Sequence, residues 1–424
     1  MSSANDKPNG WEETNLGEVC EITSAKRIFA KEYKTFGIPF FRGKEVTEKF
    51  NGNEVSTELF ITKEKYEEIK EKYGVPVYKD ILLTSVGTLG NPYIVEKDFK
   101  FYFKDGNLTW FKNFNEISSK FLFYWLISPQ GKENLSHARI GSTQQAYTMT
   151  ALKRVEIVKP PLPEQKAIAN ILTAFDDKIE NLQAQNKTLE QTAQTIFKEW
   201  FGKYQVGDEL PDGWRVGELD EVIEFINGYA FKSKDLLKEE EPNCFKVFKM
   251  GDIKKGGGFN HDKTKNYFPK KGSDKLEKYI LKNGDLLMSM TDMKDAISLL
   301  GHTALMIYDN EYIVNQRVGL IRANNDINID YPFLYLLTND KHFIANLRGR
   351  ANSGVQVNLS TQAIKESLFK IPDKETNKKF DDLVKPLFEK RKHNYIAIQS
   401  LKKTRDTLLP KLMSGQIRVN EFKS

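Results

Sequence analysis

Two segments of this chain concentrate side chains that can grip phosphate and base edges. Residues 139 to 145 supply Arg139, Gly141, Ser142, Thr143, Gln144 and Gln145, and residues 348 to 356 supply Arg348, Arg350, Asn352, Ser353 and Gln356. Arginine can hold a phosphate or a guanine with two parallel hydrogen bonds, and glutamine and asparagine can do the same for adenine. Small hydroxyl residues beside glycine let backbone amides approach a phosphate closely. Both segments are therefore candidate nucleic-acid contact loops, the alternative being an ordinary polar turn. Weaker candidates follow apolar, strand-like runs: Arg42 and Lys44, with Lys249, and Thr84 with Ser289. Each of these is read equally well as solvated surface.

A search for catalytic chemistry fails, and the failure constrains function. The five histidines, His137, His261, His302, His342 and His393, are scattered without metal-ligand spacing, and the two cysteines, Cys20 and Cys244, lie far apart. No zinc site and no disulfide framework are expected. The glycine-rich run around Gly256 to Gly258 lacks the Lys and hydroxyl residue that would close a phosphate-binding loop. GNPYIVE at 90 to 96 has one proline too few for the Asn-Pro-Pro-aromatic loop of amino-methyltransferases, and Glu68 to Lys70 is an ordinary Lys/Glu helix pattern. The expectation is a chain without catalytic residues. The 64 Lys+Arg against 58 Asp+Glu leave a net charge of +6, too mild for a polyanion coat but compatible with a locally basic cleft. The longest apolar run, Phe121 to Ile127, is seven residues, well short of the roughly 20 that span a bilayer. With no cationic and apolar leader, no membrane partner is expected, and a reducing cytoplasm is the expected location.

The elements that would position these loops are written twice. PNGWEETNLGEVCEI at 8 to 22 aligns with PDGWRVGELDEVIEF at 211 to 225, sharing seven of fifteen residues at a shift of 203. KDILLTS at 79 to 85 faces GDLLMSM at 284 to 290, and the Arg139 segment faces the Arg350 segment at a shift of 211. A shift that grows in steps is what loop insertions in a duplicated unit produce. Recurrence at the same place in both copies favours the contact-loop reading of the two polar segments. The chain divides into a strand-rich head at 1–159, a helical spacer at 160–203, a second head at 209–371, and a second helix with its tail at 372–424.

In the first spacer, Ile168, Leu172, Phe175, Ile179, Leu182, Asn186, Leu189, Ala193, Ile196 and Trp200 follow strict 4,3 spacing. Such a heptad predicts a coiled-coil seam about 57 Å long at 1.5 Å per residue. Asn186 is either a tolerated polar residue or a register device. The second spacer is less regular: Phe380, Val384, Leu387, Tyr395, Ile398, Leu401, Leu408 and Leu412 share a broad face, and Pro386 and Pro410 predict a kink. Residues 164 to 201 carry 4 Lys against 6 acids, and 373 to 412 carry 11 Lys+Arg against 6 acids, so opposite charge favours pairing of the two. Units related by a pseudo-twofold axis must pair such helices antiparallel. The predicted fold class is α+β, two similar mixed, strand-rich heads joined by two long helices in an antiparallel coiled coil. The alternative is that each helix packs only on its own head.

PPLPEQKAIANIL at 160 to 172, TIFKEWF at 195 to 201, LLPKLMSGQI at 408 to 417 and the GWxxxxLxxV openings at Trp11 and Trp214 together resemble the specificity subunit of type I restriction-modification systems. The likeness covers nearly the whole chain. It implies that the heads are target recognition domains for double-stranded DNA and that the helices are spacers binding two methyltransferase subunits, joined by restriction motor-nuclease subunits. It further implies that S-adenosylmethionine, and ATP with Mg for restriction, belong to those partners, this chain binding no cofactor of its own. One departure is the second helix entrance, KIPDKETNKKF in place of PLPEQ. Independently of the resemblance, a rod of about 57 Å covers at most about 17 base pairs, so the target should be bipartite, with dissimilar half-sites for dissimilar heads. Four added helical residues, about 6 Å, should lengthen its gap by about two base pairs. The recognition half of a fused restriction enzyme or methyltransferase, and a protein-interaction scaffold, remain open as alternatives.

Overall fold

The computed structural model describes residues 8–53, 55–141, 145–261, 263–293, 297–324, 329–353 and 356–419. They form two compact units, residues 1–181 with 398–424, and residues 182–397. The boundaries fall inside the two long helices, Leu162–Phe201 and Lys374–Met413. Each unit therefore holds one head, part of the helix that follows it, and part of the other helix.

The head of the first unit is built on a four-stranded antiparallel sheet in the order Glu21–Thr23, Leu108–Lys112, Ile81–Thr84, Pro92–Ile94. A three-stranded sheet sets Ile38–Phe41 antiparallel to Phe60–Ile61 and parallel to Tyr102–Phe103. In the second unit the same order and sense recur, with Ile223–Asn227, Val318–Ala323, Leu286–Ser289 and Thr303–Leu305 in the larger sheet. Its smaller sheet sets Cys244–Phe248 antiparallel to Tyr267–Pro269 and parallel to Tyr312–Val314. The duplication read from scattered identities is thus a duplication of topology. A two-stranded ribbon closes each head, Glu12–Asn15 with Glu156–Lys159 and Arg215–Glu218 with Leu368–Ile371.

The repeated Asp-apolar runs explain themselves in this frame. Ile81–Thr84 and Leu286–Ser289 are buried at every position, so they read as continuous apolar runs rather than alternating ones. The preceding aspartates close the entering turns: Asp80 accepts from the Val77 N–H at 2.9 Å and from Trp110 Nε1 at 2.8 Å, and Asp285 accepts from the Lys282 N–H at 2.8 Å and Arg322 Nε at 2.9 Å. Burial pushes both carboxyls above their ordinary range against the pull of these donors.

The long helices run antiparallel within each unit. In the first, Asp176 meets Arg405 and Glu164 meets Arg418 just beyond the helix end; in the second, Glu190 meets Arg391, and Phe197 and Phe201 pack edge-to-face on Phe380. Both helices complete each core. Ile168 and Leu172 join Leu409, Leu412 and Met413 against Phe121, Leu122 and Trp125, whereas Phe197 and Phe201 join Phe380, Val384 and Phe388 against Phe333 and Phe369. Packing of each helix on its own head alone is thereby overturned.

The buried row differs from the expected seam in an informative way. Ile168, Leu172, Ile179, Leu182 and Asn186 are buried, and Phe175 and Leu189 are half-buried. Towards the end of the first helix Phe197 and Phe201 take the deepest places, leaving Ile196 and Trp200 half-buried at the edge of the same core. On the second helix Ile398 and Leu412 are buried, and Leu401 and Leu408 half-buried. Tyr395 leaves the seam: its ring lies 4.5 Å from that of His261, and its neighbours Arg391 and Asn394 are the buried residues. The second helix is continuous through Pro386, whose exposed position leaves the carbonyl deprived of its N–H partner accessible to water.

The two helix entrances use different chemistry for one task. Gln165, fully buried, donates to the carbonyls of Glu116 and Pro160 and accepts from the Ser118 N–H at 2.8 Å, pinning the first helix to its head. At the second entrance Asp373 caps the helix through the Glu375 and Thr376 N–H groups and accepts from Trp214 Nε1 at 3.1 Å. Proline occupies the matching place in the first copy, and Trp11 Nε1 is buried without a partner among the described residues. Phe380, fully buried among Phe197, Trp200, Phe201 and Phe333, makes a direct test of this core. Phe380→Ala should lower unfolding free energy by about 3–5 kcal/mol in chemical denaturation, against a change within about 0.5 kcal/mol for Leu383→Ala on the exposed face.

Candidate nucleic-acid interface

Each head clips its polar segment to the chain just after the buried apolar strand. In the first unit Arg139–Ile140 pairs with Ala146–Tyr147, the Tyr147 N–H donates to the Ser85 carbonyl at 2.9 Å, and Val86 bridges Ala146. In the second, Asn352–Ser353 pairs with Gln356–Asn358, which adds Thr291–Met293 as a third strand, and the Leu359 N–H donates to the Met290 carbonyl at 2.9 Å. Segments that the sequence flags separately thus meet at one edge of each head. Arg139, Gly141, Gln145, Arg350 and Asn352 are exposed, and Gln356 is half-buried. Gly141 has φ +88°, a left-handed conformation that glycine adopts without strain. Ser142, Thr143 and Gln144 lie outside the described residues, as does the side chain of Ser353.

Beside the first hairpin lies an open cleft of about 530 Å³, in which Arg42, Lys44, Thr47 and Asn51 face Thr88 and Asn107. Arg42 caps the helix Gly43–Phe50, and its Nη2 donates to Oε1 of the fully buried Glu45 at 2.7 Å. That contact raises the guanidinium above its ordinary range against the cost of burial, so Arg42 presents a fixed cation. Lys44 reaches the Ser56 carbonyl at 3.2 Å and stays half-exposed. Lys249 repeats the cap in the second head, its N–H donating to Asp252 at 2.7 Å, but its ammonium is held by Asn266 at 2.5 Å.

Three sequence candidates turn inward. Thr84 and Ser289 are fully buried, Thr84 accepting from the Asn91 N–H and Ser289 donating to the Thr291 carbonyl, because the strands that carry them are covered on both faces. Arg348 donates from Nε to the Leu300 carbonyl at 3.0 Å, and burial lowers its pKa. It braces a loop whose Ser298, Leu299 and Leu300 N–H groups converge on Asp292. Sequence reasoning passed over three exposed apolar side chains on or beside the clipped segments, Ile140, Met149 and Met293, which are 50%, 44% and 58% exposed. Only Ile140 had a local signal, an apolar residue in a short polar hairpin; Met149 opens the helix Met149–Lys153 and Met293 ends the strand Thr291–Met293. An exposed apolar side chain of this kind suits a thymine methyl.

The glycines at 256 to 258 form a tight internal turn, with the Gly258 N–H donating to Thr303 and Gly257 packed against Asn339. Among the described residues no group of three His, Cys, Asp or Glu is placed to hold a metal ion, and no helix is long and apolar enough to cross a membrane. Burial pushes the Cys20 thiol up to about 12, leaving it unreactive.

Two copies of one head, each ending in a clipped polar hairpin and completed by an antiparallel helix pair, define a duplicated recognition protein. A family model described as the type I restriction modification DNA specificity domain matches residues 8–191 and again 211–397. The chain belongs to this family, whose members are specificity subunits that confer DNA sequence specificity and are not themselves catalytic. It is 27% identical over 442 residues to the type I restriction enzyme MjaIX specificity subunit of Methanocaldococcus jannaschii, covering 98% of this chain and 95% of the relative. With the HindI specificity subunit of Haemophilus influenzae it shares 25% over 362 residues, 72% of this chain and 79% of the relative. The solved S subunit of the type I system of M. genitalium shares the fold, with a TM-score of 0.58 at 19% identity over 97% of this chain and 98% of the other.

Proposed function

We propose that the chain reads an asymmetric, two-part duplex DNA site, one half-site per head, with the helix pair fixing the gap between them. The heads at 1–159 and 209–371 act as target recognition domains, and 160–203 and 372–424 as spacers that recruit two methyltransferase subunits and, with them, motor-nuclease subunits. S-adenosylmethionine, and ATP with Mg, are used by those partners, and the assembly works in the cytoplasm. One observation carries this reading: the same polar hairpin is clipped to the same edge of both heads, with divergent exposed side chains on it. Equivalent placement gives two readers, and divergence gives them different texts. Selection from random duplexes by the assembled methyltransferase complex tests it. Two short dissimilar motifs at one fixed spacing are the expected result; a single contiguous motif, or retention that ignores sequence, would overturn it. A protein scaffold or an autonomous enzyme has no comparable support, since neither requires paired polar hairpins.

A further inference from the structure

The seam of the second helix is interrupted by polar side chains, Arg391 and Asn394 buried and Arg405 half-buried, and each has a matching partner. In the first unit Arg405 Nη1 donates to Asp176 Oδ1 at 2.5 Å, and the Tyr124 hydroxyl donates to Asp176 Oδ2 at 2.6 Å. In the second unit Arg391 Nη2 donates to Glu190 Oε2 at 2.8 Å, and the Tyr335 hydroxyl donates to Glu190 Oε1 at 2.7 Å. The chemistry is the same twice: a carboxylate on the first long helix gives one oxygen to an arginine of the second and the other to a tyrosine of the head. Tyr124 and Tyr335 lie on matching helices, Ser119–Ile127 and Tyr331–Thr338, 211 residues apart as in the repeat. Burial and then the facing carboxylate hold both hydroxyls above their ordinary range, so they remain donors.

The carboxylates are two heptads apart on the first helix and the arginines two heptads apart, in reverse order, on the second. Both clamps therefore specify one antiparallel register. Asn186 and Asn394, bonded at 3.0 Å, lie between them in sequence and agree with that register to within one residue. Stability alone does not account for these groups, because a buried ion pair is often no better than well-packed apolar side chains. Arg391 is only 8% exposed, and its Nε finds no partner among the described residues. An apolar heptad seam, by contrast, tolerates a slip of seven residues, about 10.5 Å or about three base pairs of DNA. The same slip would strand a buried guanidinium without its carboxylate.

Resting on the function proposed above, we infer that the Tyr124–Asp176–Arg405 and Tyr335–Glu190–Arg391 clamps are positioning residues for DNA reading, fastening each head to the helix pair in one register and so fixing a single gap between half-sites. The test uses the complete complex and duplexes that carry both half-sites at a graded series of gaps. In an apolar variant combining Tyr124→Phe, Asp176→Leu, Arg405→Leu, Tyr335→Phe, Glu190→Leu, Arg391→Leu, Asn186→Leu and Asn394→Leu, so that neither clamp remains, melting should stay near the wild-type temperature and both half-site motifs should persist. The selected gap should broaden, with a second population about three base pairs away. A milder variant, Tyr124→Phe with Tyr335→Phe, should reduce discrimination between the native gap and its neighbours by roughly threefold. Unchanged gap discrimination in the milder variant, or loss of half-site reading by the apolar one, would overturn the inference. Failure of the wild-type complex to select any two-part motif would instead sink the functional reading beneath it.

Discussion

Three heptads inserted at facing points of both long helices, after Lys187 and after His393, should move the selected gap by about nine base pairs while leaving both half-site motifs unchanged. These points face each other because the register that joins Asp176 to Arg405 and Glu190 to Arg391 sets residue 187 opposite 394 and residue 188 opposite 393. Twenty-one residues add about 31.5 Å, close to one turn of duplex, so each head meets the groove on nearly its original face. A single heptad adds about 10.5 Å, or about three base pairs, but over that length DNA turns by about 100°. The single-heptad protein should therefore bind its best gap markedly more weakly than either the wild type or the three-heptad protein. Four residues, the shorter insertion suggested by length alone, rotate the seam by about 40° and misalign the apolar row. A heptad placed in one helix only should abolish two-part recognition, because it separates Arg391 from Glu190 or Arg405 from Asp176. Gap-resolved binding of the assembled complex measures all four proteins, and an optimum that stays at the wild-type gap in the three-heptad variant would sink the ruler.

What the sequence made visible was whatever depends on local pattern. The duplication could be read because Trp, Leu and Val in the repeated openings are core residues, Leu16 and Leu219 being fully buried. The first helix could be read because Ile168, Leu172, Ile179 and Leu182 alternate at 4,3 spacing with polar residues. The second helix looked irregular because polar residues stand on its buried row. Arg391, Asn394 and Arg405 take places where an aliphatic side chain is the ordinary expectation, and the apolar Tyr395 drew the seam one residue aside. The clamps were invisible for the same reason, since their carboxylates are about 200 residues from their arginines in sequence. At the interface, the hairpins were legible from composition but the clip at Ser85 and Met290 was not, because nothing local joins it to the polar segments. Thr84 and Ser289 were misread as surface because a short polar ending of an apolar run looks the same on a covered strand as on an edge.

The same clip makes the hairpins separable readers. Arg139→Ala with Gln145→Ala should damage one half-site and leave the other intact, because both side chains are exposed on a hairpin clipped to its own head at Ser85. Loss of a bidentate base contact costs about 1–3 kcal/mol, roughly ten- to a hundredfold in affinity, and relaxes selection at the base pair concerned. Loss of a phosphate contact instead weakens all sequences alike and reduces the slope of log affinity against log salt by about one. Selection and salt titration on the same complex distinguish these outcomes, and either places Arg139 or Gln145 on the DNA. Arg350→Ala with Asn352→Ala should give the mirror result at the other half-site. Arg348→Ala serves as the contrasting variant: its side chain braces Leu300 rather than facing outward, so it should lower thermal stability while leaving the salt slope unchanged. If the exposed pairs change neither motif nor salt slope, the hairpins are ordinary turns and recognition lies elsewhere, with the cleft beside Arg42 and Lys44 the next surface to mutate.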